Sequence, residues 1–80
     1  MMDIKVVGEG CDKCDRLYEN VMQAVDELGV VARIEKVEDL IEMVKLGVMS
    51  TPTLMIDGKT EILGQVASTS KIKEIIRQHV

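Results

Sequence analysis

Between Ile4 and Ile34 the apolar pattern changes period twice, and this constrains the fold more than any other feature. Ile4 to Val7 is a short β-branched run closed by Gly8, which reads as a strand, and Gly8-Glu9-Gly10 reads as a turn. From Asp12 the spacing becomes helical. Cys14, Leu17, Tyr18, Val21, Val25 and Leu28 share one stripe, while Asp12, Arg16, Glu19, Gln23 and Asp26 fall mostly on the other side. Gly29 stands where a helix C-cap is expected. Val30 to Ile34 is a second β-branched run. Parallel strands need a crossover of a dozen or more residues, and Asp12 to Leu28 is long enough to supply it. The three segments can therefore form a right-handed βαβ unit.

The remaining elements follow from turn and cap signals. Glu38-Asp39 puts acids at the start of a short helix, with Leu40, Ile41 and Val44 expected on its inner face and Gly47 as its stop. Thr53 to Ile56 and Thr60 to Leu63 are β-prone runs joined through Asp57-Gly58, a strong hairpin signal. Ser68-Thr69-Ser70 opens a last helix, from about Thr69 to His79, with Ile72, Ile75 and Ile76 as its apolar stripe. The order is βαβ, then α, then ββα.

Eighty residues leave room for one domain, residues 1–80, and one core. Tyr18 is the only aromatic residue, so Val, Ile, Leu and Met must build that core. Ten basic residues against fourteen acidic ones give a net charge of -4. With no cationic footprint and no aromatic platform, nucleic-acid binding is not expected. No apolar run approaches the roughly 18 residues of a membrane span, and Met1 to Gly10 lacks a signal-peptide pattern. The expected location is the cytoplasm, without membrane association, and the expected state is a monomer.

The two cysteines, Cys11 and Cys14, are separated by two residues. This pattern is neither a disulfide framework nor a closed four-cysteine zinc site. It leaves a redox dithiol or an open soft-metal site, with two incidental cysteines as the bland alternative. The pair follows a strand and a glycine turn and opens a helix. Unpaired backbone N–H groups and the helix dipole stabilise a thiolate there. Lys13 adds to this effect, while Asp12 and Asp15 oppose it. The stripe turns Cys14 inward with Leu17, Tyr18 and Val21, whereas Cys11 precedes the first turn and is expected to be accessible. An exposed, activated Cys11 would attack a disulfide and Cys14 would resolve the mixed disulfide.

Pro52 is the only proline and lies in Ser50-Thr51-Pro52-Thr53, just before a strand. On local sequence alone it reads as a trans proline that opens the strand. The combination of residues goes further. Gly8-Glu9-Gly10-Cys11-Asp12-Lys13-Cys14, the segment from Gly47 through Thr51-Pro52 to Asp57-Gly58, and the closing helix together resemble the thioredoxin superfamily. The chain is most similar to its small, glutaredoxin-sized redox-active disulfide proteins of archaea and bacteria. The resemblance covers essentially the whole chain. It implies an α/β, thioredoxin-like βαβαββα fold, with a four-stranded mixed sheet flanked by three helices. It also implies that Thr51-Pro52 is a cis peptide beside the cysteine pair, and that the Thr51 backbone pairs with an extended substrate strand. Gly10 and Pro52 would border that substrate, and Met49, in the loop before Pro52, either adds an apolar rim to it or packs within the loop. The implied activity is thiol–disulfide oxidoreduction of disulfide-containing proteins. The redox-active Cys11–Cys14 disulfide would serve without a bound cofactor, and a thioredoxin-reductase-like flavoprotein would supply electrons.

The chain also departs from the thioredoxin pattern. Gly10 replaces the tryptophan before the first cysteine, and Asp12-Lys13 replaces Gly-Pro between the pair. Six positions before the first cysteine, where thioredoxins carry a buried acid, this chain carries Lys5. That lysine either modulates the thiol pKa values from the core side or snorkels to water. Gly64 to Ser68 supplies one glycine and no acid, closer to thioredoxin's approach to its last helix than to a glutathione site.

A soft-metal carrier for Cu(I), Zn(II) or arsenite is the alternative for the same CxxC. Small copper chaperones, however, have a βαββαβ order that ends in a strand, and usually a Met two residues before the first cysteine, where this chain has Glu9. A redox-sensing interaction module is a third reading. His79, near the end of the chain, is expected to be solvated. Met22, Met43 and Met55 are expected to fill core.

Overall fold

A computed structural model of the chain describes residues 1–9 and 12–80. The readings placed on Gly10 and Cys11 lie outside the described residues. The described residues form four strands and three helices: β1 (Met2–Val7), α1 (Asp12–Leu28), β2 (Ala32–Val37), α2 (Leu40–Lys45), β3 (Thr53–Ile56), β4 (Lys59–Leu63) and α3 (Thr69–His79). The sheet order is β2-β1-β3-β4. β1 and β2 run parallel, from Met2 opposite Ala32 to Val7 opposite Val37. β3 lies antiparallel to both β1 and β4. The sheet is mixed and the chain closes on a helix, as the thioredoxin resemblance implies.

The two faces of the sheet are covered unequally. Ile4, Val6, Leu54, Ile56 and Ile62 pack with Leu17, Val21 and Ala24 of α1 and with Ile72, Ile75 and Ile76 of α3. This is the main core. A salt bridge from Lys73 to Glu27 (2.7 Å) ties α3 to α1 at their margin, and a hydrogen bond from Asn20 Nδ2 to the Ala67 carbonyl (2.9 Å) ties α1 to the segment leading into α3. The opposite face carries a smaller cluster of Val7, Val37, Met43 and Met55 beneath α2.

The turn and cap signals are realised. Asp57 and Gly58 take φ values of 50° and 82°, the left-handed pair that a two-residue hairpin turn requires. Ser68 caps α3 by accepting from the Lys71 N–H (3.1 Å), and Asp39 caps α2 by accepting from the Ile41 N–H (2.9 Å).

Four sequence expectations are corrected. β2 spans Ala32–Val37 and not Val30–Ile34. It is an edge strand, so Arg33, Glu35 and Lys36 can enter it while their charged heads stay in water. Leu40, Ile41 and Val44 do not line the inner face of α2; they are 66%, 66% and 71% exposed, and Met43 is the buried residue. Six residues make fewer than two turns, and the apolar floor offered by Val7, Val37 and Met55 takes one side chain. Met22 is 48% exposed, because Val21 and Ala24 already occupy the buried stripe of α1 on either side of it. His79 is not a solvated tail residue: its Nε2 lies 2.9 Å from Glu61 Oε1, and both side chains are largely covered.

Candidate active site

The site lies at the C-terminal end of β1, where the chain leaves the sheet for α1. The Gly8 N–H donates to the Val37 carbonyl at 2.9 Å, which extends the β1–β2 pairing by one residue. Cys14 is in the first turn of α1, fully buried and disulfide-bonded. Its inward orientation follows from the stripe it shares with Leu17 and Val21. The chain's other cysteine, Cys11, lies outside the described residues.

Gly8 packs directly against Cys14, and the same point lies close to Thr51. A methyl group at Gly8 would overlap Cys14 Sγ, and it would stand 3.2 Å from Cys14 Cβ and 3.5 Å from Thr51 Cβ. Gly8 is not one of the glycines held at positive φ. What this position requires is therefore the missing side chain and not backbone freedom. Gly8 is the site residue that sequence reasoning passed over. Its only signal was a glycine closing a strand just ahead of the CxxC.

Thr51 belongs to the loop leading into β3, and the Thr51–Pro52 peptide is cis. Thr51 is exposed and Pro52 is fully buried. The loop is held on both sides of the proline. Thr53 Oγ1 donates to the Ser50 carbonyl at 2.6 Å, and the Gly64 N–H donates to the Pro52 carbonyl at 2.8 Å. Thr53 is itself fully buried, so its hydroxyl satisfies the loop and not solvent. Sequence reading had Thr53 only as the first residue of a strand.

A groove of about 330 Å³ opens beside this loop, lined by Met43, Val44, Val48, Met49 and Thr51 together with Leu40 and Glu9. Met49 is 96% exposed. The structure thus brings Met49 and Thr51 to one surface.

The two lysines read as modulators are placed differently. Lys13 is exposed in the first turn of α1. Lys5 is half-buried on β1, and its ammonium bonds to Asp3 Oδ2 at 3.0 Å. That bond draws the amine toward the N-terminal end of the strand, whereas Cys14 lies beyond the C-terminal end. A third lysine stands beside the site without having been expected there: Lys36 Nζ donates to Asp15 Oδ1 at 2.6 Å. The pairing joins β2 to α1 across 21 residues of sequence, and no local pattern signals it.

Among the described residues there is no cluster of three His, Cys, Asp or Glu side chains placed to hold a metal ion, and no helix is long and apolar enough to cross a membrane.

Comparison with known proteins agrees with this geometry. The family model for the thioredoxin domain matches residues 2–77. The thioredoxin of Methanothermobacter thermautotrophicus is 40% identical over 76 residues, covering 95% of this chain and 99% of that protein. The thioredoxin of Methanocaldococcus jannaschii is 39% identical over 80 residues, covering all of this chain and 92% of that protein. Such relatives support a thiol–disulfide oxidoreductase role in general terms. By sequence and by architecture, the chain belongs to the thioredoxin family.

Proposed function

We propose that this protein is a thioredoxin-like protein disulfide oxidoreductase in which Cys11 attacks and Cys14 resolves. The observation that carries the reading is Cys14: it is disulfide-bonded, buried in the first turn of α1, and packed against Gly8 near Thr51. Cys11 is the only other cysteine in the chain, and its place before the helix suits the attacking role.

The exchange balances as follows. The Cys11 thiolate attacks one sulfur of a substrate disulfide, and the other substrate sulfur leaves as a thiolate. Cys14, once deprotonated, attacks the Cys11 sulfur of the mixed disulfide. The second substrate thiolate departs and the Cys11–Cys14 disulfide forms. Two electrons pass to the substrate, and its two thiolates take up protons. No bound cofactor enters these steps. A flavoprotein of the thioredoxin-reductase kind returns the pair to the dithiol.

Thr51 supplies the edge that an extended substrate segment pairs with. Its exposure between two anchored neighbours supports this role. Met49 and the groove beside it offer apolar contact to side chains flanking the substrate disulfide. The expected compartment is the cytoplasm, where dithiols of this kind are kept reduced.

A redox titration in dithiothreitol buffers, with thiols trapped by alkylation and counted by mass, tests the reading. The expected result is a reversible two-thiol transition with a midpoint between roughly -120 and -300 mV. Cys14→Ser should then hold a substrate as a stable mixed disulfide on Cys11. A chain that forms no reversible intramolecular disulfide in that window is not an exchange protein.

A further inference from the structure

The first turn of α1 carries two acids, Asp12 and Asp15. An acid at that position works against a thiolate, because it opposes the positive end of the helix dipole. Asp15 directly follows Cys14, but it does not act as a free charge. Its Oδ1 accepts the 2.6 Å hydrogen bond from Lys36 Nζ. Lys36 stands near the end of β2, next to Val37, whose carbonyl receives the Gly8 N–H. The lysine therefore comes from the part of the sheet closest to the exit toward the cysteines.

A second contact fixes the same ammonium. It lies 5.5 Å from the centroid of the Tyr18 ring, within cation–π range. The hydrogen bond to Asp15 raises the Lys36 pKa above the ordinary lysine range. Partial desolvation opposes this, and attraction to Asp15, Glu38 and Tyr18 adds to it. Lys36 is thus a full positive charge at neutral pH, held in place from two sides.

Resting on the exchange reading above, we propose that Lys36 is a positioning residue for the dithiol: it pins and neutralises Asp15, so that the first turn of α1 keeps its positive field toward the cysteine thiolate. Lys36 takes no part in exchange itself. Its effect is electrostatic, and the sign depends on which partner is removed. Without Lys36, Asp15 is an uncompensated negative charge that disfavours the thiolate. Without Asp15, Lys36 is an uncompensated positive charge that favours it. For charges on the order of 10 Å apart, the thiolate fraction changes roughly two- to fifteen-fold between water-like and protein-surface dielectrics.

The test is the pH dependence of alkylation of the fully reduced protein by iodoacetamide, at low salt, in four variants. Lys36→Met should raise the pH midpoint and slow alkylation at pH 7 by roughly two- to fifteen-fold. Asp15→Asn should lower the midpoint. The double variant should return close to the parent, and Lys36→Arg should retain the parent profile. Both shifts should shrink at 1 M salt, where screening acts over about 3 Å. Asp12, Lys13 and Glu9 are constant across the set, so their fields cancel in the comparison. Single substitutions that shift the midpoint in the same direction, or by less than twofold in rate, overturn the inference. A merely structural role predicts that common direction, with the double variant the worst of the set. The reversible couple of the parent, measured separately, reports on exchange itself. Opposed shifts without a couple would leave the charge inference standing and remove the exchange reading; a couple without opposed shifts would do the reverse.

Discussion

Replacing Gly8 by alanine places a methyl group against the buried sulfur of Cys14. Carbon and sulfur do not approach much closer than about 3.5 Å at rest, so the sulfur or the new methyl must retreat by on the order of 1 Å. The sulfur has little freedom to do so. Cys14 has no exposed surface, it is disulfide-bonded, and its helix is fixed by Leu17 and Val21 in the main core. Overpacking of this kind costs about 1–3 kcal/mol. An 80-residue domain has about 4–12 kcal/mol of stability in total, so Gly8→Ala should still fold. The oxidised form should melt roughly 5–20 °C lower, at about 4–8 °C per kcal/mol. In the reduced form the Cys14 thiol can rotate away, so most of the cost falls on the disulfide state. The reduction potential should therefore rise by roughly 20–60 mV, at about 30 mV per tenfold change in equilibrium. Thermal melts of both redox states, together with a redox titration, measure this. Gly58→Ala is the control: Gly58 has φ of 82° and nothing within 4 Å of an added methyl. Its cost is backbone strain of about 1 kcal/mol, the same in both redox states. A Gly8→Ala variant that loses equal stability in both states, or none in the oxidised state, would refute the reasoning.

Two further outcomes test the scaffold. Leu17→Ala opens a cavity in the main core and should cost about 2–5 kcal/mol in urea melts, alike in both redox states; a loss confined to the oxidised state would mean that Leu17 acts on the disulfide and not on the core. Glu27 has its pKa lowered, first by the hydrogen bond from Lys73 and then by that from Gln23. The stability it contributes is fully present above the ordinary glutamate range, near pH ~4.3, and is lost as pH falls through the lower folded value. Glu27→Gln should therefore lower stability in the neutral region, match the parent below the folded Glu27 pKa, and so flatten the acid limb of stability against pH; an unaltered acid limb would show that the pair contributes nothing in solution.

Where many residues agree, the sequence was a good guide. The α1 stripe, the Asp57-Gly58 turn and the Ile72, Ile75 and Ile76 face of α3 each repeat one signal over several positions, and each is realised. Cys14 is buried as that stripe requires. The misses come where one position carries the outcome or where the deciding partner is remote. α2 is too short for its periodicity to be read, and the sheet beneath it selected Met43 over three neighbouring apolar residues. β2 was misplaced because an edge strand can carry Arg33, Glu35 and Lys36, a composition that does not look like a strand. The Lys36–Asp15 and His79–Glu61 pairs join residues 21 and 18 apart, and only the folded register brings them together. Gly8 acts through the atoms it lacks, which no pattern of side chains can display.

The unequal covering of the sheet has a dynamic consequence. Regions with less buried apolar surface open at lower free energy than the rest of a domain. α1 and α3 share the large core, so the helix that carries Cys14 opens only when most of the domain does. α2 rests on the small cluster of Val7, Val37, Met43 and Met55, with Leu46 and Val48 at its margin. Amide exchange should be slowest along β1, β3 and the inner turns of α1, and fastest across α2 and the chain leading to Thr51. Cys14 is thus mounted on the most firmly packed part of the molecule, whereas the groove beside the Thr51 loop has one wall, α2, that opens at lower free energy.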